Sequence, residues 1–336
     1  MRYLNDSLEN KKILITGGAG FIGSNLAFYF QENHPKAKIF VLDRFRDEKR
    51  FSNGNLISFG HFKNLLGFKG EVIEGDINDK DLLERLSEYK FDIIFHEAAI
   101  SDTTVSNQSL MIKTNVNAFR DLLDLAVFSH AKMIYASSGA TYGNAKAPQR
   151  VGRENPGNVY GFSKLMMDNV AYEYMKVYPH LTIVGLRYFN VYGPREYFKD
   201  KTASMVLQLG LQILSKKAPR LFFNSDKIFR DFIYIEDVVQ ANIKAIKAKR
   251  SGVYNVGTGK ARSFEDIAKI LLKELNSDLQ IEYFENPYDK KAYQTFTEAD
   301  IEDTKKYLNY EPRFSLEDGI KAYIPEIKRI FEEEVK

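Results

Sequence analysis

The segment from Lys12 to Gly23 constrains this chain more than any other. Lys12-Ile-Leu-Ile-Thr16 is a short, mostly apolar run, which reads as a strand buried on both faces. It leads directly into Gly17-Gly-Ala-Gly-Phe-Ile-Gly23, and residues 20–33 then carry a helical pattern. Gly18, Gly20 and Gly23 satisfy G-x-G-x-x-G, and Gly17 gives an overlapping G-x-x-G-x-x-G reading. Small residues permit the tight turn and let the backbone approach a pyrophosphate. The helix N-terminus then supplies free N–H groups and partial positive charge. A glycine motif alone is weak evidence. Set between a strand and a helix, it predicts a dinucleotide loop.

The pattern downstream agrees. Short apolar runs at 39–43, 71–75, 92–96, 132–136 and 181–187 alternate with helical patterns at 79–89, 110–129 and 160–177. This alternation predicts an α/β fold, a Rossmann-type doubly wound parallel sheet. After Arg187 the rhythm breaks. Residues 188–224 hold a Gly-Pro turn and one helix. Strands at 232–235 and 253–256, with a helix at 236–248 between them, are expected to rejoin the main sheet. The remainder, with one strand at 280–284, suggests a smaller, interleaved α/β substrate lobe. The expected division is 11–187 plus 229–256 for the dinucleotide-binding domain and 188–228 plus 257–336 for the lobe. Residues 1–10 read as a disordered or loosely packed extension, and Glu332-Glu-Glu334 as a solvated helix end.

Composition narrows the chemistry. The 48 basic and 45 acidic residues leave a net charge of +3, too mild to predict a nucleic-acid or membrane surface. The absence of cysteine excludes disulfides, thiolate nucleophiles and Cys-ligated metal sites, and fits a reducing cytoplasm. No apolar run is long enough for a membrane span, and the polar start lacks a signal-peptide core. The five histidines are scattered without ligand spacing, so no metal site is expected.

Two further features carry chemistry. Asp43 ends the second strand, where an acidic residue accepts hydrogen bonds from an adenosine ribose. Arg44, Arg46, Lys49 and Arg50 follow at once and could instead hold a 2′-phosphate, so NAD and NADP both stay open. Tyr160-Gly-Phe-Ser-Lys164 has the Y-x-x-x-K spacing, which puts both side chains on one helix face. A lysine there can stabilise phenolate, whose free phenol has a pKa of ~10. Three other Tyr/Lys pairs share the spacing, at 142/146, 172/176 and 197/201. Context selects Tyr160, which follows a strand and the loop Ser137-Ser-Gly-Ala-Thr-Tyr-Gly143. Ligands sit at such strand ends, and Ser138 can hydrogen-bond a reacting hydroxyl there.

With these motifs stand Arg187-Tyr-Phe-Asn-Val-Tyr-Gly-Pro194 and Arg230-Asp-Phe-Ile-Tyr234. Together they resemble the extended short-chain dehydrogenase/reductase family, which acts on nucleotide-linked sugars. His96-Glu-Ala-Ala99, Ser138-Gly-Ala-Thr-Tyr142, Tyr188 through Glu196 and Tyr293-Gln-Thr-Phe-Thr-Glu-Ala-Asp300 are most similar to its ADP-heptose 6-epimerase branch. The resemblance implies bound NADP (NAD remaining possible), an ADP-heptose substrate, lipopolysaccharide inner-core synthesis and a homo-oligomer, by resemblance a pentamer.

It also implies roles. Gly17, Gly20, Phe21, Ile22 and Gly23 would form the cofactor loop. Asp43 and Arg44 would flank the ribose, and Arg50 and Lys63 the cofactor's phosphate side. Glu97, Ala98, Ala99, Ile100, Ser101, Asn115 and Val191 would line its path, and Lys164 would hold the nicotinamide ribose. Asn190, Lys201, Gln208, Phe222, Phe223, Asn224, Ser225, Arg230 and Tyr293 would contact substrate. Tyr160, assisted by Ser138 and Lys164, would move the hydroxyl proton on one face. Lys199, also near the cofactor, would serve the other, although its segment departs from the family pattern and Lys201 competes for that role. A UDP-hexose 4-epimerase is the nearest alternative. A non-catalytic NADP-sensing module is less favoured, because the Tyr/Lys pair is kept. A 4,6-dehydratase would place Asp-Glu where Gly139-Ala140 stands.

Overall fold

The computed structural model describes residues 2–285 and 295–336. The first half runs β1 (Lys12–Thr16), α1 (Phe21–Asn33), β2 (Lys38–Asp43), β3 (Glu71–Glu74), α2 (Lys80–Ser87), β4 (Ile93–His96), α3 (Gln108–Met111), α4 (Ala118–Ser129), β5 (Lys132–Ser138), α5 (Val159–Val177) and β6 (Ile183–Tyr188). The second half adds β7 (Asn190–Tyr192), α6 (Met205–Leu214), β8 (Arg220–Phe222), β9 (Phe229–Tyr234), α7 (Ile235–Ala245), β10 (Gly252–Val256), β11 (Ala261–Ser263), α8 (Phe264–Glu274), β12 (Glu282–Phe284), α9 (Glu302–Leu308) and α10 (Leu316–Ile330).

The central sheet has the order β10-β6-β5-β4-β1-β2-β3 and is parallel throughout. Its strands are apolar on both faces because helices cover both. Ile13, Ile15, Val41, Phe95 and Ile134 pack against α1 and α7. Leu14, Phe40, Leu42, Ile94 and Met133 pack against α2, α4 and α5. The strand order reverses between β1 and β4, so the C-terminal ends of these strands open a crevice, the usual ligand site of a doubly wound sheet.

The structure departs from the sequence expectations at four places. Only β10 rejoins the main sheet; β9 pairs in parallel with β7 and antiparallel with β11. Val253 to Val256 pair with Gly185 to Tyr188 and take the open edge of β6. Meanwhile β9 carries Asp231, whose buried carboxylate needs the N–H groups of Thr258, Gly259 and Ala299. The N-terminal extension is packed, not loose: Leu4 and Leu8 are buried in the core, and Tyr3 stacks on Tyr29. The helix expected over 110–129 is interrupted by a π-helical turn at Ile112–Asn117. The C-terminal glutamates are not all solvated, since Glu334 is mostly buried and grips Lys63 at 2.6 Å.

No helix among the described residues is long and apolar enough to cross a membrane. No group of three or more His, Asp or Glu among them could hold a metal ion.

Candidate active site

A cleft of about 880 Å³ opens at the switch point and runs from the glycine loop to α8 and β12. At its start, α1 is capped by Gly20 with no side chain on its first N–H groups and no acidic residue in its first turn. Those N–H groups are left for an anion. Gly17 lies at φ +69°, and a Cβ there would stand 2.6 Å from the Ala98 nitrogen. A Cβ at Gly23 would run into the Gly17 carbonyl. The loop is therefore a cradle that side chains would fill, and it fits a dinucleotide diphosphate. At the end of β2, Asp43 accepts the Ala19 N–H at 2.7 Å. Burial pushes its carboxyl up to about 6, against the pull of the Ala19 and Gly20 N–H groups. Arg44 is partly neutralised by Asp76 at 3.3 Å and Asp47 at 3.8 Å.

Deeper in the cleft, Ser138 ends β5 and faces the first turn of α5. Asn158 caps that helix by accepting the Gly161 N–H at 2.7 Å, which fixes where Tyr160 begins. Tyr160, Lys164 and Asp168 then follow one another on a single face of α5. Burial raises the Tyr160 phenol; Ser138's hydrogen bond pulls it down, and Glu97 adds to the rise. The Lys164 ammonium donates to the Ala136 carbonyl at 2.7 Å and lies 6.0 Å from the Tyr160 ring centroid. Burial lowers it to about 8, while Glu97 and Asp168 hold its proton. Glu97 itself is pushed up to about 7 by burial, and Tyr188 donates to it at 2.8 Å.

Behind this face lies an ionic network that sequence reasoning missed. Asp168 accepts from Tyr135 at 2.8 Å, Ser137 at 3.0 Å and two Arg187 nitrogens at 2.8 and 2.9 Å. Arg187 also reaches Glu154 at 2.5 Å. The signal was present: Asp168 continues the four-residue spacing that picks out Tyr160 and Lys164.

The second cation comes from the loop between β7 and α6. Buried Glu196 pins that loop by accepting from the Gly193 nitrogen at 3.1 Å and from the Ser204 nitrogen and hydroxyl at 2.7 Å each. The Lys199 ammonium stands 5.6 Å from the Phe21 ring centroid. Burial lowers its pKa, opposed by the Glu196 charge. Lys201 also reaches the cleft but is exposed.

The cleft wall brings together Gly17, Gly20, Phe21, Ile22, Gly23, Asp43, Arg44, Glu97, Ala98, Ala99, Ile100, Ser101, Ser138, Tyr160, Lys164, Asn190, Val191, Lys199, Lys201, Gln208, Phe222 and Ser225. Six expected residues stand off it. Arg50 is exposed and donates to the Gly54 carbonyl at 2.9 Å. Lys63 is held by Glu334. Asn115 works from behind: in the π-helical turn, its amide accepts the Ile100 N–H at 2.8 Å and donates to the Ile100 carbonyl and Ser163 at 3.0 Å each. It thus braces the loop after β4. Phe223 is exposed and stacked on Tyr283, and Asn224 takes a left-handed turn at φ +63°. Arg230 is buried, bonded to the Phe229 carbonyl at 2.8 Å, with its guanidinium 5.7 Å from the Phe264 ring. Tyr293 lies outside the described residues. The far end of the cleft adds Arg220, Phe264 and Phe284, which the sequence did not single out; Phe284 meets Phe222 edge-on at 4.9 Å.

Known proteins share this fold. The structure of ADP-L-glycero-D-manno-heptose-6-epimerase from Helicobacter pylori matches with 55% identity and a TM-score of 0.88, covering 98% of this chain and 99% of that one. UDP-glucose 4-epimerase from Thermotoga maritima, solved with UDP-glucose, matches with 27% identity and a TM-score of 0.83, covering 95% and 99%. UDP-glucuronic acid 4-epimerase from Bacillus cereus, solved with UDP-glucuronic acid and NAD, matches with 28% identity and a TM-score of 0.79, again covering 95% and 99%. A family model matches residues 13–257, and with it the chain belongs to the NAD dependent epimerase/dehydratase family.

Proposed function

We propose that this chain inverts C6 of an ADP-linked heptose, converting ADP-D-glycero-β-D-manno-heptose to its L-glycero epimer with NADP as resident cofactor. The observation that carries the reading is the meeting of two separate proton carriers in one cleft, Tyr160 on α5 and Lys199 on the β7–α6 loop. The 55% identity to the Helicobacter pylori enzyme supports the substrate. The same resemblance supports lipopolysaccharide inner-core synthesis, a cytoplasmic site and a homo-oligomer, by the same token a pentamer.

The glycine loop, Asp43 and Lys164 would hold the dinucleotide. When bound, the nicotinamide would take a hydride from the carbinol carbon and return it, and its positive ring would lower the phenol's pKa. Tyr160 removes the hydroxyl proton on one face, with Ser138 hydrogen-bonded to the phenol and Lys164's charge favouring phenolate. The carbon becomes planar and loses its configuration. Turning the ketone presents its other face, so the oxygen needs a proton donor from a different direction. Lys199 meets that need, because burial keeps its ammonium readier to release a proton than an exposed lysine. Between the two candidates in this loop, burial favours Lys199 over the exposed Lys201.

The test has two arms. Denatured protein should release NADP, identified by mass spectrometry. The native protein should interconvert the two ADP-heptose epimers, and Tyr160→Phe and Lys199→Met should each lower turnover by about 10²–10⁴-fold. Wild-type turnover in both variants would refute the scheme, and turnover of UDP-glucose but not ADP-heptose would redirect the substrate.

A further inference from the structure

Residues 61–64 touch the glycine loop on one side and the Lys199 loop on the other. Toward the glycine loop, the His61 N–H and the Asn64 side-chain amide both donate to the Ala19 carbonyl, at 3.1 Å each. Toward the Lys199 loop, the same Asn64 amide donates to the Arg195 carbonyl at 3.2 Å, and the Arg195 guanidinium donates back to the Asn64 carbonyl. The His61 imidazole lies flat on the ring of Phe198, the residue before Lys199. The ring centroids are 3.7 Å apart and the planes 3° apart. Arg46 also donates to the Phe198 carbonyl.

Neither His61 nor Asn64 lines the cleft. The loop they grip has reason to be held. Asp200, directly after Lys199, sits at φ +54° and ψ −132°, outside the regions L residues favour. Such a conformation persists only where its surroundings impose it.

We propose that His61 and Asn64 are positioning residues for the second proton carrier: they lock the Lys199 loop to the glycine loop, so the ammonium keeps a fixed place relative to what that loop binds. The proposal rests on the assignment of Lys199 above.

His61 has two separable contacts. Its Nδ1 accepts the Lys63 N–H at 3.2 Å and caps the turn at Phe62–Leu65; its ring stacks on Phe198. His61→Asn keeps a capping acceptor and loses the stack, whereas His61→Phe keeps the stack and loses the cap. For interconversion of ADP-heptose epimers, His61→Asn should lower kcat by about ten- to a hundredfold, with KM and retained dinucleotide unchanged. His61→Phe should stay near the wild-type rate, and Phe198→Leu should reproduce the loss from the opposite ring. In a Lys199→Met background, His61→Asn should cost nothing more, because the group it places is gone. Equal losses in His61→Asn and His61→Phe, a wild-type kcat in His61→Asn, or a full added loss on top of Lys199→Met would each overturn the proposal. Failure of the underlying assignment looks different: Lys199→Met would itself turn over normally.

Discussion

Tyr188 donates a 2.8 Å hydrogen bond to one oxygen of Glu97, and the other oxygen is buried without a partner among the described residues. This carboxylate is one of two that hold the proton on Lys164; the other is Asp168. Burial already brings Lys164 down to about 8. Glu97→Gln removes one of the opposing charges, so Lys164 will lose its proton at a lower pH than in the wild type. Because the ammonium is the form that supports phenolate, the alkaline limb of the pH–kcat profile should move toward acid. A limb that stays in place would show that Lys164 does not set it.

Asp43 gives a stability prediction with a definite sign. Burial raises its pKa from 3.8 to about 6, so the folded state binds its proton more tightly than the unfolded chain. Ionisation then costs stability as pH rises from about 4 to about 6, and above that the cost is constant at roughly 3 kcal/mol. Asp43→Asn keeps an acceptor for the Ala19 N–H and carries no charge. With the dinucleotide stripped from both proteins, it should melt higher than wild type at pH 8, with the gap closing near pH 4. Dinucleotide retention should fall in the same variant, since its side chain accepts a ribose hydroxyl less strongly. A variant that melts lower than wild type at pH 8 would mean that the carboxylate's hydrogen bonds outweigh its desolvation.

The contrast between what the sequence disclosed and what it hid follows from distance along the chain. The glycine loop, the buried strands and the Tyr160/Lys164 pair are local patterns: a run, a turn and a four-residue spacing. The doubly wound parallel class follows from that alternation, but the order β3-β2-β1-β4-β5-β6-β10 does not, since right-handed crossovers allow other orders. Glu154 and Asp168 meet Arg187 across 33 and 19 residues; the four-residue spacing marks Asp168's helix face, but nothing local announces Arg187 or Glu154 as its partners. Lys63 reads locally as a free cation, but Glu334 lies 271 residues away and takes it. The π-helical turn that aims Asn115 at Ile100 is equally invisible, because its apolar spacing is that of an ordinary helix. β10 takes the β6 edge while β9 pairs with β7, an allocation no single segment encodes.

The Arg187 network should behave as a buried charge cluster. Arg187 and Asp168 are essentially inaccessible, at 1% and 0% side-chain exposure. Arg187→Met leaves the Asp168 and Glu154 carboxylates without the guanidinium that bonds both. That should cost about 3–5 kcal/mol in urea unfolding at neutral pH. Lys36→Met breaks an exposed pair with Glu9 at 3.1 Å and should cost less than about 1 kcal/mol. Similar losses in the two variants would mean that water reaches the Arg187 site.

The glycine loop yields the last prediction, which separates fold from cofactor. At Gly17 an added methyl meets the backbone of Ala98 and must also adopt φ +69°, so the loop and the start of the segment after β4 have to move apart. At Gly20 the nearest atom to an added Cβ is the Gly17 carbonyl oxygen at 3.1 Å, with φ at an ordinary −81°. A shift of a few tenths of an ångström accommodates it. Gly17→Ala should therefore lose retained dinucleotide and stability together. Gly20→Ala should fold with a melting temperature near wild type, and any loss of dinucleotide in it would report the methyl group's intrusion on the diphosphate. Dinucleotide released per subunit on denaturation, measured beside the melting temperature, distinguishes the two. Full retention in Gly17→Ala would show that the diphosphate does not rest on this turn.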